Sequence, residues 1–172
     1  MSTRHPITAI CPGSYDPVTN GHLDIIRRAA AVFDHIIVGV IVEPHHKQPT
    51  FTVEERIAFL EEALTGVDNV VVEAFSDLVV EFAKRCGART MVKGLRAISD
   101  FEWEFQMGHL NRTIAPELET MYVMASPNYS FVSSSGVKEL ASFGGDVSEF
   151  VPPAVARRCH EIFGNGSGAK GN

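Results

Sequence analysis

The sequence predicts an α/β fold: a single doubly wound, Rossmann-like domain whose five-stranded parallel sheet carries helices on both faces and a C-terminal helix. Three observations carry that expectation. Short β-branched runs alternate along the chain with amphipathic stretches of helical spacing, the pattern of successive βαβ units. One run, His35 to Val42, shows hardly any polar alternation, as a strand buried on both faces of a parallel sheet should. The length, 172 residues, suits one domain that buries about 70% of its unfolded surface. We assign residues 1–163 to that domain and 164–172, GNGSGAKGN, to a flexible tail.

Taken in order, Ile7 to Cys11 reads as the first strand, and CPGSYDPVTNGH from Cys11 to His22 as the loop into a helix. Gly13 would let backbone amides approach a ligand, Asn20 would cap the helix, and His22 would stand in its first turn. Unpaired N–H groups and the helix dipole favour a phosphate there. Leu23, Ile26, Ala30 and Phe33 form the buried stripe of that helix, and His35 to Val42 is the second strand, expected centrally. A loop of two prolines and polar residues follows, carrying Lys47. Thr52 and Glu55 then form a capping box for a helix over Val53 to Leu64, with Ile57, Leu60 and Leu64 inward.

Asn69 to Phe75 is the third strand, Asp77 opens a short helix to Cys86, and Gly87 stops it. Thr90 to Val92 is the fourth strand, followed by KGLRAIS with the cations Lys93 and Arg96. Ser99 and Glu102 suggest a second capping box. The helix beyond carries two apolar stripes, Phe101 with Phe105 and Trp103 with Met107, Leu110 and Ile114, which fit either a subunit contact or a fully buried helix. Thr120 to Met124 is the fifth strand, the serines of ASPNYSFVSSSGVKEL cap a helix from about Ser135, and the last helix begins near Pro152 or Pro153 with Val155, Cys159 and Phe163 inward.

Composition excludes several classes. Three widely spaced cysteines with no CxxC pair fit a reducing cytoplasm and small apolar roles, not a zinc site, and His45 and His46 have no partner cluster, so no protein metal site is expected. The longest apolar run is too short to span a bilayer, so no membrane is expected as a partner. A net charge of −6 argues against a nucleic-acid partner while leaving room for a local cationic pocket. The chain has no P-loop, no GxGxxG and no GxSxG elbow, which removes the signatures of P-loop kinases, dinucleotide dehydrogenases and serine hydrolases.

In a doubly wound sheet, ligands bind outside the carboxyl ends of the strands. Gly13 to His22, Lys47, Lys93 with Arg96, and the serine run each follow a strand in this reading. Amides, a histidine and several cations around one rim suit a polyphosphate. If the attacking group is itself a phosphate, positioning and charge neutralisation suffice without a side-chain nucleophile. A binding module that keeps the pocket without turnover is the alternative from another class.

GSYDPVTNGH and SFVSSSGVKE resemble the paired TxGH and serine-rich motifs of the nucleotidyltransferase superfamily. KGLRAISDFEWEFQM, FTVEER and FSDL narrow the resemblance to the bacterial phosphopantetheine adenylyltransferases, over Ile7 to Phe163. The resemblance implies adenylyl transfer from ATP to 4'-phosphopantetheine with magnesium, giving dephospho-coenzyme A and pyrophosphate, in a cytoplasmic homohexamer with coenzyme A as feedback ligand. It implies His22, Lys47 and Arg96 as catalytic groups, His22 stabilising the transition state. ATP would be held by Ser14, Tyr15, His22, Gly94, Leu95, Arg96, Glu104 and the run Tyr129, Ser130, Phe131, Val132, Ser133, Ser134 and Ser135. Phosphopantetheine would be held by Ser14, Lys47, Val79 and Lys93. Ser14 stands where many relatives have Thr, Lys93 where many have Arg, and Gly136 where a larger residue is usual; the loop before Phe51 looks one residue longer, leaving His46 as the competitor of Lys47. Relatives acting on nicotinamide mononucleotide, or using CTP on an alcohol phosphate, are the nearest enzyme alternatives, and KGLR with DFEWE argues against them.

Overall fold

The computed structural model describes residues 5–44 and 48–164, apart from the side chains of residues 98 and 99. Five parallel strands, β1 (Thr8–Gly13), β2 (His35–Ile41), β3 (Val70–Phe75), β4 (Thr90–Leu95) and β5 (Glu119–Met124), lie in the order β3-β2-β1-β4-β5. The helices are α1 (Asn20–Ala30), α2 (Val53–Ala63), α3 (Val79–Arg85), α4 (Ile98–Ile114), α5 (Ser134–Ser142) and α6 (Pro153–Phe163). Chain order reverses beside β1, the switch point at which such sheets open a crevice. His35 to Ile41 is an interior strand, between β3 and β1, and β1 is the central one.

Helices pack on both sheet faces, leaving Met121 and Met124 of β5 exposed. On one, Ala9, Cys11, Ile36, Val38 and Val40 pack with Leu23 and Ile26 of α1, Leu60 of α2, Val137 of α5, and Val155 and Cys159 of α6. On the other, Ile10, Met91 and Phe75 pack with Val80, Phe82 and Ala83 of α3 and with Leu118. Phe82 stacks on Phe75 with centroids 4.5 Å apart, directly over Gly39, where an added Cβ would come within 2.4 Å of the Phe82 ring. Packing that close leaves β2 no side chain at that register position.

Several boundaries differ from the sequence expectation, each for a reason in the ladder or the caps. β1 runs on to Gly13, paired with Val40, and β4 runs on to Leu95, with Lys93 opposite Tyr122 and Gly94 opposite Val123. The cations after the fourth strand therefore start on a rigid strand, not in a loop. Thr19, not Asn20, caps α1, and Leu78, not Asp77, precedes α3; Asp77 instead pairs with Arg85. α4 starts earlier than the expected Ser99 and Glu102 box implies, behind Ala97, which provides no side-chain cap, so residue 99 falls inside the first turn. In its first turn Asp100 accepts the Arg96 amide at 3.1 Å, which draws the helix start toward β4. The Thr52 and Glu55 box forms as expected, but the inward face of α2 also includes Phe59 and, fully buried, Arg56. Both stripes of α4 are exposed, with Trp103, Leu110 and Ile114 at 63%, 60% and 60%, so the helix is not buried within its own chain.

Candidate active site

A cleft of about 560 Å³ opens where β1, β4 and β5 end, walled by the first turns of α1, α4 and α5. Its α1 wall is built around His22. The Thr19 hydroxyl accepts the His22 amide at 3.3 Å, while the Thr19 amide donates to His22 Nδ1 at 3.0 Å. This is a capping box with an imidazole in the place usually taken by a Glu or Gln. Because Nδ1 accepts a backbone N–H, the neutral ring carries its proton on Nε2, the nitrogen left to donate in the cleft. Burial, reinforced by the nearby charges of Arg96 and Lys93, lowers the His22 pKa to about 4. The ring is a neutral donor at physiological pH.

Tyr15 lies against that ring edge to face, 5.2 Å between centroids, with its hydroxyl donating to the Cys11 carbonyl at 2.8 Å. Tyr15 has φ of 48°, and its ring lies over Gly13, where a Cβ would come within 3.1 Å of it. Gly13 therefore makes room for Tyr15. Cys11, in the cleft floor, is pushed up to about 12 by burial and stays a thiol, so it is no nucleophile.

Two buried side chains tie the loop after β1 to its neighbours. Asp16 accepts the amides of Thr50 and Phe51 at 3.0 and 2.9 Å and the Lys138 ammonium at 2.5 Å. Arg56 donates to the carbonyls of Ser14, Ile41, Val42, Phe51 and Thr52 at 2.7–3.3 Å. On α5, Ser133 caps the helix by accepting the Gly136 amide at 3.0 Å, and Ser134 donates to the Pro17 carbonyl at 2.7 Å. A Cβ on Gly136 would stand 3.0 Å from the Ser133 oxygen, so glycine suits this cap.

The α4 wall is electrostatic. Arg96 holds Asp100 through Nε and Nη2 at 2.9 and 3.0 Å and donates to the Val132 carbonyl at 3.0 Å. Lys93 pairs with Glu104 at 3.1 Å. The Arg96 guanidinium holds the Asp100 carboxyl below the usual range against the opposing effect of its burial.

Of the residues singled out in the sequence, Ser14, Tyr15, His22, Lys93, Gly94, Arg96, Glu104, Tyr129, Val132, Ser133, Ser134 and Ser135 all line this one cleft. Leu95 is buried behind it, and Ser130 and Phe131 sit in the exposed turn beside it. Val79 starts α3, packed on the opposite face of the sheet. Lys47 and its competitor His46 lie outside the described residues. Sequence reasoning missed Thr19, Asp100 and Trp103 in the lining, and Asp16 and Arg56 behind it. The Thr-x-x-His spacing could have exposed Thr19; Arg56 reads locally as one more solvated helix charge.

The chain is similar to known proteins over most of its length. The cytidylyltransferase-like family model matches residues 10–140. A phosphopantetheine adenylyltransferase of Heliobacterium modesticaldum is 50% identical over 157 residues, 91% of this chain and 93% of the relative. Relatives of the same name from Caldanaerobacter subterraneus and Rubrobacter xylanophilus are 52% and 49% identical, over 90% and 93% of this chain and 96% and 97% of their own. A crystal structure from Vibrio parahaemolyticus, described as a "Putative Nicotinate-nucleotide Adenylyltransferase", superposes with a TM-score of 0.66 over 92% of this chain and 93% of its own. At 16% identity that likeness shows the fold alone.

Proposed function

The chain belongs to the phosphopantetheine adenylyltransferases of the cytidylyltransferase-like family, and from that premise we infer its reaction: transfer of the adenylyl group of ATP to 4'-phosphopantetheine, giving dephospho-coenzyme A and pyrophosphate. The observation that carries the mechanism is the convergence of His22, Lys93 and Arg96 on one cleft at the switch point of the sheet. A phosphate oxygen of the acceptor attacks the α-phosphorus, the bond to the bridging oxygen breaks, and pyrophosphate leaves with the electron pair. The nucleophile is already anionic, so no general base is needed.

In this reading His22 donates from Nε2 to the α-phosphate as it becomes trigonal bipyramidal, a geometry a fixed donor meets better than it meets resting ATP. Arg96 and the first-turn amides and hydroxyls of α5, at Ser133 to Ser135, neutralise the departing pyrophosphate, with Tyr129 to Val132 and Gly94 to Leu95 around the nucleotide. Lys93, with Ser14, Val79 and Lys47, holds the acceptor. Among the described residues no three His, Cys, Asp or Glu groups gather as a metal site, and Asp100 and Glu104 are occupied by Arg96 and Lys93. Magnesium would be bound together with the nucleotide and would supply charge neutralisation at its phosphates.

The same reading makes the chain a homohexamer of the cytoplasm. Phe101, Trp103, Phe105, Leu110 and Ile114 of α4, with Met121 and Met124 of the edge strand β5, supply the apolar surface that assembly would cover. Light scattering at micromolar concentration should give six times the chain mass; a monomer overturns the assembly. Free thiols at Cys11, Cys86 and Cys159 suit a reducing compartment. Coenzyme A, sharing the pantetheine and adenylyl parts of the product, is the feedback ligand of this site.

A pyrophosphate-release assay of ATP and CTP against phosphopantetheine, pantetheine, nicotinamide mononucleotide and glycerol phosphate tests the function. Turnover is expected only with ATP and phosphopantetheine. Comparable turnover of pantetheine would overturn the acceptor-phosphate reading, and release with another acceptor would overturn the substrate.

A further inference from the structure

Arg56 stands out among the groups the mechanism leaves unused. It is fully buried, and among the described residues its hydrogen-bond partners are five backbone carbonyls, with the Asp16 and Glu54 carboxylates near enough to favour its charge. Ile41 ends β2 and Val42 follows it, Ser14 lies just past β1, and Phe51 with Thr52 precedes α2. These carbonyls belong to three chain segments that meet at the rim, and a planar fork with several N–H donors is the side chain that can hold all of them at once. Asp16 answers from the other side. It takes the amides of Thr50 and Phe51, while the carbonyls of Phe51 and Thr52 accept from Arg56, so the turn before α2 is held both by a side chain of the β1 loop and by one of α2 itself. Lys138 extends the cluster to α5, whose first turn carries Ser133 to Ser135.

The geometry points to Arg56 and Asp16 as positioning residues for adenylyl transfer: a reciprocal clamp that fixes the backbone at Ser14 relative to the first turns of α1 and α5. The inference rests on the adenylyl-transfer reading above. Neither side chain lines the cleft. Their effect on the reaction passes through Ser14, whose carbonyl sits 2.8 Å from Arg56 and whose residue lines the cleft with His22. In-line attack tolerates little misplacement, so a loosened Ser14 loop costs turnover far more than it costs nucleotide binding. A burial role alone predicts something different, namely a smaller folded fraction with unchanged turnover per folded site.

The test is Arg56→Lys beside Asp16→Asn in the full-length chain. Lysine keeps the charge and loses the fork; asparagine keeps one acceptor oxygen and loses the charge. Calorimetric titration with ATP counts the competent sites and gives the affinity, and pyrophosphate release is then expressed per titrated site. Each variant is expected to lose roughly 10- to 100-fold in kcat per site, with ATP affinity within about threefold of the parent. Turnover per titrated site within threefold of the parent in a folded variant would overturn the inference, as would a loss that follows ATP affinity in step. If Arg56→Lys does not fold, Asp16→Asn decides alone by the same two readings. Failure of the parent to turn over phosphopantetheine would instead overturn the reaction assignment, so the two failures are distinguishable.

Discussion

The two walls of the cleft hold their functional groups by different physics. On the α1 and α5 side, hydrogen bonds run largely between side chains and backbone and are half-buried or buried: Thr19 with His22, Ser134 with Pro17, Asp16 with Thr50 and Phe51. Such bonds lock one geometry, because breaking any of them strands a desolvated polar group. On the α4 side, Arg96 and Lys93 rest on Asp100 and Glu104 in ion pairs that solvent reaches, with side-chain exposures of 39% and 25% for the first pair and 26% and 18% for the second. A phosphate oxygen can take the place of a carboxylate oxygen at little cost. One wall is held by hydrogen bonds to backbone and the other by ion pairs that solvent reaches. The first suits transition-state recognition, the second suits admission and release of anions.

The largest effect should come from breaking the rigid wall. His22→Ala is expected to lose roughly 10²- to 10⁴-fold in turnover, by analogy with removing one preorganised donor, while ATP affinity falls far less. Calorimetric ATP binding beside steady-state turnover, under identical magnesium, separates the two. Turnover within a few fold of the parent, or a loss in step with affinity, would make His22 a structural or binding residue.

The exchangeable wall should answer in the opposite sense and by a smaller amount. Asp100→Asn frees the Arg96 guanidinium from a competing carboxylate, so ATP is expected to bind more tightly, by roughly three- to tenfold at low salt. The gain should shrink as ionic strength rises. The stability cost of losing a half-exposed pair is about 1 kcal/mol or less. A weaker affinity for ATP in this variant would mean that Asp100 helps to orient Arg96 for the nucleotide, and the two walls would then not differ in the way described.

The same contrast explains what was legible in the sequence. Periodicity revealed the five strands, the crossover helices and the rim on which the motifs gather, because one-sided and two-sided burial leave a local imprint on residue order. Twelve of the residues that the resemblance assigned to the two substrates line one cleft. The misses are of two kinds. Gly13, Lys93 and Gly94 read as loop because polar and glycine residues are poor strand formers, and only pairing with β2 and β5 overrides that. Arg56 and Asp16 were invisible because their partners are distant: Asp16 meets Lys138 across 122 positions and Arg56 meets Ser14 across 42. A buried charge among carbonyls looks, residue by residue, like a charge in water. The α4 stripes were legible as apolar, and the chain alone gave no means of deciding what covers them.

The smallest expected effect is one of pH, and it sharpens the claim that the first wall is fixed. The His22 pKa of about 4 in the folded chain lies below the ordinary value of 6.5, with burial the largest cause and Arg96 and Lys93 adding to it. Between those two pH values the unfolded chain binds the proton and the folded chain does not. Stability therefore rises with pH across this window: the contribution is intact above about 6.5 and is lost progressively as the pH falls toward 4. Denaturation of the parent should steepen on acidification through that range, and His22→Asn should flatten the acid limb. Turnover, by contrast, should show no limb from this ring between about pH 6 and 8, since the neutral form keeps its Nε2–H throughout. Nitrogen-15 NMR of the ring checks the premise directly. At pH 7 it should report an unprotonated Nδ1, held by the Thr19 amide, and a protonated Nε2. A cationic ring at pH 6, or a proton on Nδ1, would mean that the Thr19 contact does not set the tautomer, and the fixed donor on which the rigid wall depends would be lost.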